Sequence, residues 1–175
     1  MSGKLYEKDY LLMNNTPIRS AIADFDVDGG GMVVLGDLVT TDKSCFVATK
    51  PLADSKSVAI VYNPVLHYVM EGTVKLPARI KNPNETCFAG DTLDVFVPFK
   101  GLMFGVSADN IDGTPTKGQF LEVKADSTLY SVAATQTANV ASFEVIDIVK
   151  HRDPVGGAIG GEVVYEYVVK TVFND

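Results

Sequence analysis

The densest group of side chains able to do chemistry is Asp24-Phe25-Asp26-Val27-Asp28-Gly29, three carboxylates at alternate positions followed by a glycine. That spacing is the opening of a calcium loop, in which alternate aspartates line a concave backbone and the glycine allows the sharp turn. The full loop also needs a bidentate glutamate at its twelfth position. Here that position is Leu35, and neither flank has a helical period. Half of the pattern is therefore present, and an acidic turn facing solvent is the simpler expectation, with no metal and no cofactor.

The remaining reactive residues do not form a recognised set. His67 and His151 are the only histidines, and neither lies at zinc-ligand spacing from the other or from a cysteine. Cys45 and Cys87 lack a C-x-x-C arrangement and, in a chain without an export signal, are expected as buried thiols and not as a disulfide. No serine sits in a G-x-S-x-G elbow. The glycine clusters Gly29-Gly30-Gly31 and Gly156-Gly157-Ala158-Ile159-Gly160-Gly161 lack the lysine and the following helix of a phosphate loop, so loop formation or close chain approach is their expected use. Glu162 and Glu166 share one strand face, as many solvent-facing carboxylates do. Asn14-Asn15-Thr16 and Asn84-Glu85-Thr86 fit a glycosylation acceptor, which matters only in a secretory protein. Together these residues predict a non-enzymatic structural or binding protein.

The elements that carry these residues are strands. With 175 residues, 46% hydrophobic and 21% charged, the chain has the size and apolar content of one domain with a sizeable core. A net charge of -7, with the basic residues scattered and Lys75, Arg79 and Lys81 the closest group, argues against nucleic acid as a partner. The segment Met1 to Asp9 has no signal-peptide character, no apolar run is long enough to span a bilayer, and no basic amphipathic stretch suits a membrane surface.

From Met32 onward, short β-branched runs recur between Gly, Pro, Asn and Asp. They are Met32 to Leu35, Cys45 to Thr49, Val58 to Tyr62, Tyr68 to Leu76, Leu93 to Val97, Met103 to Val106, Phe120 to Val123, Leu129 to Val132, Phe143 to Val149 and the tail Glu162 to Val172. This predicts an all-β fold, a single β-barrel or β-sandwich, with a short helix near Ser131 to Val140 as the one exception. Gly36-Asp37-Leu38-Val39 and Gly90-Asp91-Thr92-Leu93 both read as hairpin entries. Residues 1–28 have no clear period and read as an N-terminal arm or cap joined at the glycine triplet to a β-rich domain of residues 29–175. Tyr6, Tyr10, Leu11, Leu12, Met13 and Ile18 are the expected contact residues of such an arm; alternatively Leu11, Leu12 and Ile18 close one end of the barrel. The alternating Val163, Tyr165, Tyr167 and Val169 predict an apolar face covered by self-association.

Four segments resemble, in order, the small decoration or cement proteins of tailed-phage heads: Gly36-Asp37-Leu38-Val39, Gly90-Asp91-Thr92-Leu93-Asp94-Val95, Gly101-Leu102-Met103-Phe104-Gly105-Val106-Ser107, and Val140-Ala141-Ser142-Phe143-Glu144-Val145. The resemblance covers Met32 to Val149. The chain departs from the pattern in its acidic N-terminal arm, in Ser142 where a basic residue is expected, and in the strand-like tail. The resemblance implies a virion protein made in the host cytoplasm that forms a homotrimer on the capsid surface and binds the major capsid protein. A tail-tube or other virion subunit, or a cytosolic ligand-binding β-barrel, would share the same sequence signs.

Overall fold

β-branched and aromatic residues at alternating positions bury one face of an extended chain, and here they build two packed layers. The computed structural model describes residues 5–7, 17–40, 44–62, 68–71, 74–77, 86–152 and 163–175, of which 5–7, 68–71, 74–77 and 151–152 are described by backbone alone. The strands are β1 (Leu5–Glu7), β2 (Ile18–Ala23), β3 (Met32–Leu38), β4 (Cys45–Thr49), β5 (Ala59–Val61), β6 (Tyr68–Glu71) and β7 (Val74–Pro77), followed by β8 (Thr92–Phe96), β9 (Met103–Ser107), β10 (Ile111–Asp112), β11 (Phe120–Val123), β12 (Tyr130–Ala133), β13 (Ser142–Arg152) and β14 (Val163–Phe173). Among the described residues the only helix is a 3-10 turn, Ala108–Asn110. The protein is all-β.

Strands β2-β4-β3-β5-β8 close into a barrel, with β2 and β4 parallel and the other neighbours antiparallel. A barrel of so few strands has a narrow lumen, which explains why its inward positions include small residues: Ala21, Ala23, Ala48 and Ala59 interleave there with Val33 and Leu93, all fully or almost fully buried. The second layer is a seven-stranded sheet in the order β1-β9-β14-β13-β11-β12-β10. Its apolar face packs against Met32, Ile60 and Phe96 on the outside of the barrel, forming the larger core. Edge-to-face ring contacts run from Phe96 to Phe104 (5.8 Å), Phe104 to Phe143 (5.5 Å) and Phe143 to Tyr130 (5.8 Å), so one aromatic chain crosses from barrel to sheet.

The two layers are fastened at the glycine triplet, whose three residues are all buried. Gly30 N–H donates to Val61 O at 2.8 Å, and Val61 N–H donates back to Gly31 O at 2.9 Å, which ties the triplet to the barrel. From the sheet side, the Tyr130 hydroxyl donates to Gly30 O at 3.0 Å and Asn110 Nδ2 donates to Gly29 O at 2.9 Å. Met32 N–H adds a bond to Thr128 O at 2.9 Å. A Cβ on Gly31 would stand 3.0 Å from both Asp28 O and Val27 Cγ2, and Gly30 has φ of 83°, so glycine is favoured by space at one position and by conformation at the other. A second seam lies at the C-terminal end. Asn174 Oδ1 accepts from Val58 N–H at 2.8 Å, and its Nδ2 donates to Val58 O at 3.0 Å and Pro98 O at 2.9 Å.

Several expectations need correction. The glycine triplet is a tight chain approach, and it is no boundary, because Ile18–Ala23, expected in the arm, is a barrel strand with Ala21 and Ala23 completely buried. Its alternation was hidden by short, polar-flanked residues. In place of the helix expected near Ser131 to Val140 there is β12 followed by turns. Two interactions hold that segment non-helical: β12 pairs with β11, and the Glu122 carboxylate accepts from both Thr137 N–H (2.6 Å) and Thr137 Oγ1 (2.7 Å). The single strand expected over Tyr68 to Leu76 is a hairpin, β6–β7. The tail is an interior strand of the sheet. Tyr167 and Val169 consequently face the protein's own core, and only Val163 and Tyr165 of the expected apolar face are exposed.

Burial raises the Tyr130 phenol above its ordinary value of 10.0, so it stays protonated and donates to Gly30 O. In the unfolded chain that phenol ionises from about pH 10. Its contribution to stability is therefore intact below pH 10 and declines as pH rises above it. Denaturant melts of wild type and Tyr130→Phe should show the variant about 1–2 kcal/mol less stable at neutral pH, with a shallower loss of stability in alkali. Equal slopes for the two proteins above pH 10 would contradict this assignment.

Candidate functional site

The alternation of Asp24 to Asp28 has a structural cause. Continuing from β2, Val27 turns into the barrel core and is 2% exposed, Phe25 packs against the same core, and the carboxylates point away. The outward carboxylates meet the segment Thr86 to Gly90. Asp26 Oδ1 accepts from Ala89 N–H at 2.9 Å, and Asp28 Oδ1 accepts from the Thr86 hydroxyl. Between them Val27 and Cys87 exchange two backbone bonds of 2.9 and 2.8 Å, and Gly90 N–H donates to Ala23 O at 2.8 Å. The Lys50 ammonium lies 5.1 Å from the centroid of the Phe25 ring. The acidic run thus staples the segment Thr86 to Gly90 onto the barrel, and among the described residues no three His, Cys, Asp or Glu side chains converge as a metal site.

Other residues singled out in the sequence are dispersed. Cys45 lies in β4 and Cys87 in the bridge to Val27, and both are buried. Glu166 is completely buried within β14, while Glu162 lies outside the described residues. Ile18 is 51% exposed at the end of β2 and does not close the barrel. Tyr6 stands opposite Gly105 in the β1–β9 register. Tyr10, Leu11, Leu12, Met13, His67, Arg79, Lys81 and the cluster Gly156 to Gly161 lie outside the described residues, and His151 and Lys75 are described by backbone alone. Gly90-Asp91 does precede a strand, in a turn with Gly90 at φ of 87°, whereas Gly36-Asp37 sits inside β3 at a register shift.

The polar side chains with the most specific partners are ones the sequence did not mark: Glu122, Tyr130, Asn110 and Asn174. Each holds backbone groups across a junction. The signal that could have marked Glu122 is its place between Leu121 and Val123 in a short apolar run, where an acid on a buried strand needs donors. No signal marks Asn174, whose partners are distant in sequence.

Outside the barrel wall, Ile22, Val39, Val47 and Thr49 line a mainly apolar groove of about 360 Å³, with Asp24 and Gly90 at its end. A smaller hollow of about 270 Å³ lies between Arg19, Val34, Leu35, Val58 and Val97. The Arg19 guanidinium is stacked 5.3 Å above the Phe46 ring. The arrangement as a whole offers an apolar groove on the barrel wall and scattered exposed apolar side chains, with hydrogen-bonded seams inside. Comparison of the chain with known families, curated proteins and solved structures finds no match.

Because Thr86 donates to a carboxylate that anchors the segment Thr86 to Gly90, Thr86→Val should cost about 1–3 kcal/mol, read as a lower melting temperature. Chelator should leave the wild-type melting temperature unchanged. A melting temperature raised by calcium, and no longer raised in Asp26→Asn, would instead mean that the acidic run binds the ion.

Proposed function

We propose that this chain is a non-enzymatic structural subunit of a virus particle, one that decorates and stabilises a tailed-phage capsid by binding the major capsid protein lattice as a homotrimer. The observation that carries the reading is the division of labour among its side chains. Glu122, Asp28, Asn110, Tyr130 and Asn174 fasten barrel, sheet and loops to one another, while the outer surface presents exposed apolar side chains on strands, among them Leu38, Val47, Val163 and Tyr165. Rigid, strand-built apolar surfaces suit a load-bearing contact with another protein. The order of the four segments that resemble head decoration proteins supports the same reading.

The barrel lumen bears on the ligand-binding alternative. It is filled by Ala21, Ala23, Val33, Ala48, Val61 and Leu93, which supports packing as its role. A tail-tube or other virion subunit shares the outer surface, and the assembly product separates it from a decoration protein.

The test is to mix purified protein with capsids that lack it and to measure co-sedimentation and the temperature of capsid rupture. Bound protein in the pellet and capsids that rupture at a higher temperature are the expected results. Protein that stays in the supernatant, or that forms rings or tubes by itself, would overturn the decoration role.

A further inference from the structure

The register of the barrel places one cation in a row of apolar lumen positions. On β2, Ala21 stands opposite Leu93 on one side and Phe46 on the other, and Ala23 stands opposite Ala48; all of these side chains belong to the lumen or pack against it. Two positions before Ala21 is Arg19, whose partner on β8 is the lumen residue Val95. Side chains on one strand face recur with period two, so Arg19 continues the row of Ala23 and Ala21 and stands where the lumen opens, at the start of β2. A guanidinium deeper in so narrow a barrel would be stripped of water. At the mouth Arg19 is exposed.

That mouth holds a hollow of about 270 Å³ between Arg19, Leu35, Val58, Ala59 and Val97, with Ser57 the other polar residue of its wall. Leu35 and Val97 are half-buried and continue the lumen rows of Val33 and Val95. The Arg19 guanidinium is held 5.3 Å from the centroid of the Phe46 ring, a contact that positions the cation and leaves its N–H donors for an oxygen ligand. Among the described residues no carboxylate forms an ion pair with it.

A concave apolar wall with one positioned charge at its rim is the make-up of a small-ligand site, and barrel mouths are among the places where such sites occur. The charge selects an anion, and the planar fork of a guanidinium matches the two oxygens of a carboxylate. The wall selects an aliphatic body. The body must be short, because the hollow is smaller than the clefts of about 300–1,000 Å³ that hold drug-sized ligands.

We propose that this mouth binds a short aliphatic carboxylate, whose oxygens accept from the Arg19 guanidinium and whose hydrocarbon chain lies against Leu35 and Val97. The lumen beneath keeps its own packing, so the ligand sits at the rim. The inference stands whether or not the protein binds capsids.

Hexanoate is the probe, titrated into the full-length protein and followed through the methyl signals of Leu35 and Val97 by nuclear magnetic resonance. Saturable shifts of both residues are expected. Hexanol keeps the chain without the charge, acetate keeps the charge without the chain, and each should bind at least about tenfold more weakly. Arg19→Gln should weaken hexanoate roughly ten- to hundredfold while leaving hexanol binding unchanged. Arg19→Lys, which keeps the charge and loses the fork, should fall between the two. Equal affinity of the wild type for hexanoate and hexanol would overturn the proposal, and that comparison holds even if the variants fail to fold. Hexanoate binding unaltered by Arg19→Gln, or no shift at Leu35 and Val97, would overturn it equally. Tighter binding of N-acetylleucine than of hexanoate would make the occupant the C-terminus of another polypeptide, which also sinks the free-acid assignment.

Discussion

Three consecutive buried glycines are the constraint on which the two-layer arrangement depends. The backbone there serves both layers at once: it completes hydrogen bonds with Val61 of the barrel while its carbonyls receive Asn110 and Tyr130 from the sheet side. A Cβ on Gly31 would crowd the Asp28 carbonyl and the Val27 methyl and would come within 3.4 Å of Thr128 Cβ on the sheet side. Beside this junction Phe96, Phe104, Phe143 and Tyr130 meet edge to face across the interface. Each such pair contributes about 0.5–1.5 kcal/mol beyond its buried area, so the glycine backbone sets the geometry and the aromatic chain supplies much of the adhesion.

Glu122 and Asn174 follow the same logic. A carboxylate taken out of water is costly unless its oxygens are bonded, and Glu122 is 6% exposed with both oxygens occupied by Thr137. This fixes the loop that a helix would otherwise have occupied and lets Val140 and Ala141 return to the core before β13 begins. Asn174 closes the opposite seam with three bonds to Val58 and Pro98, which makes the last strand an organiser of the barrel as well as of the sheet. Asp126 and Asn139 take positive φ in turns, a conformation that these two residue types adopt more readily than most.

How much of this was legible in the sequence varies with the range of the cause. The runs at Val58 to Tyr62, Leu93 to Val97 and Phe143 to Val149 were readable as strands because β-branched content and turn residues are local signals, and the all-β class followed from them. β2 was missed because its inward residues are alanines, whose apolar signal is weak, and only a narrow barrel lumen makes them core. The helix expected near Ser131 to Val140 does not form because pairing with β11 and the bonds of Thr137 to Glu122, both distant in sequence, hold the segment in another conformation. Of the candidate site, the three aspartates were visible, but their purpose was not. Alternation imposed by a barrel strand and alternation required by a calcium loop look the same until the partner segment Thr86 to Gly90 is placed beside them.

The division into a closed barrel and an open sheet also gives the two layers different kinds of edge. In the barrel every strand has two neighbours, so its backbone has no free edge, and the groove beside Ile22, Val39 and Val47 can be read by a partner only through side-chain shape and apolar contact. The sheet is open by contrast, and its terminal strands are short, three residues in β1 and two in β10, so little backbone is left at either edge for another strand to pair with. On the proposed capsid reading, the barrel surface would therefore meet the other protein through side-chain shape and apolar contact.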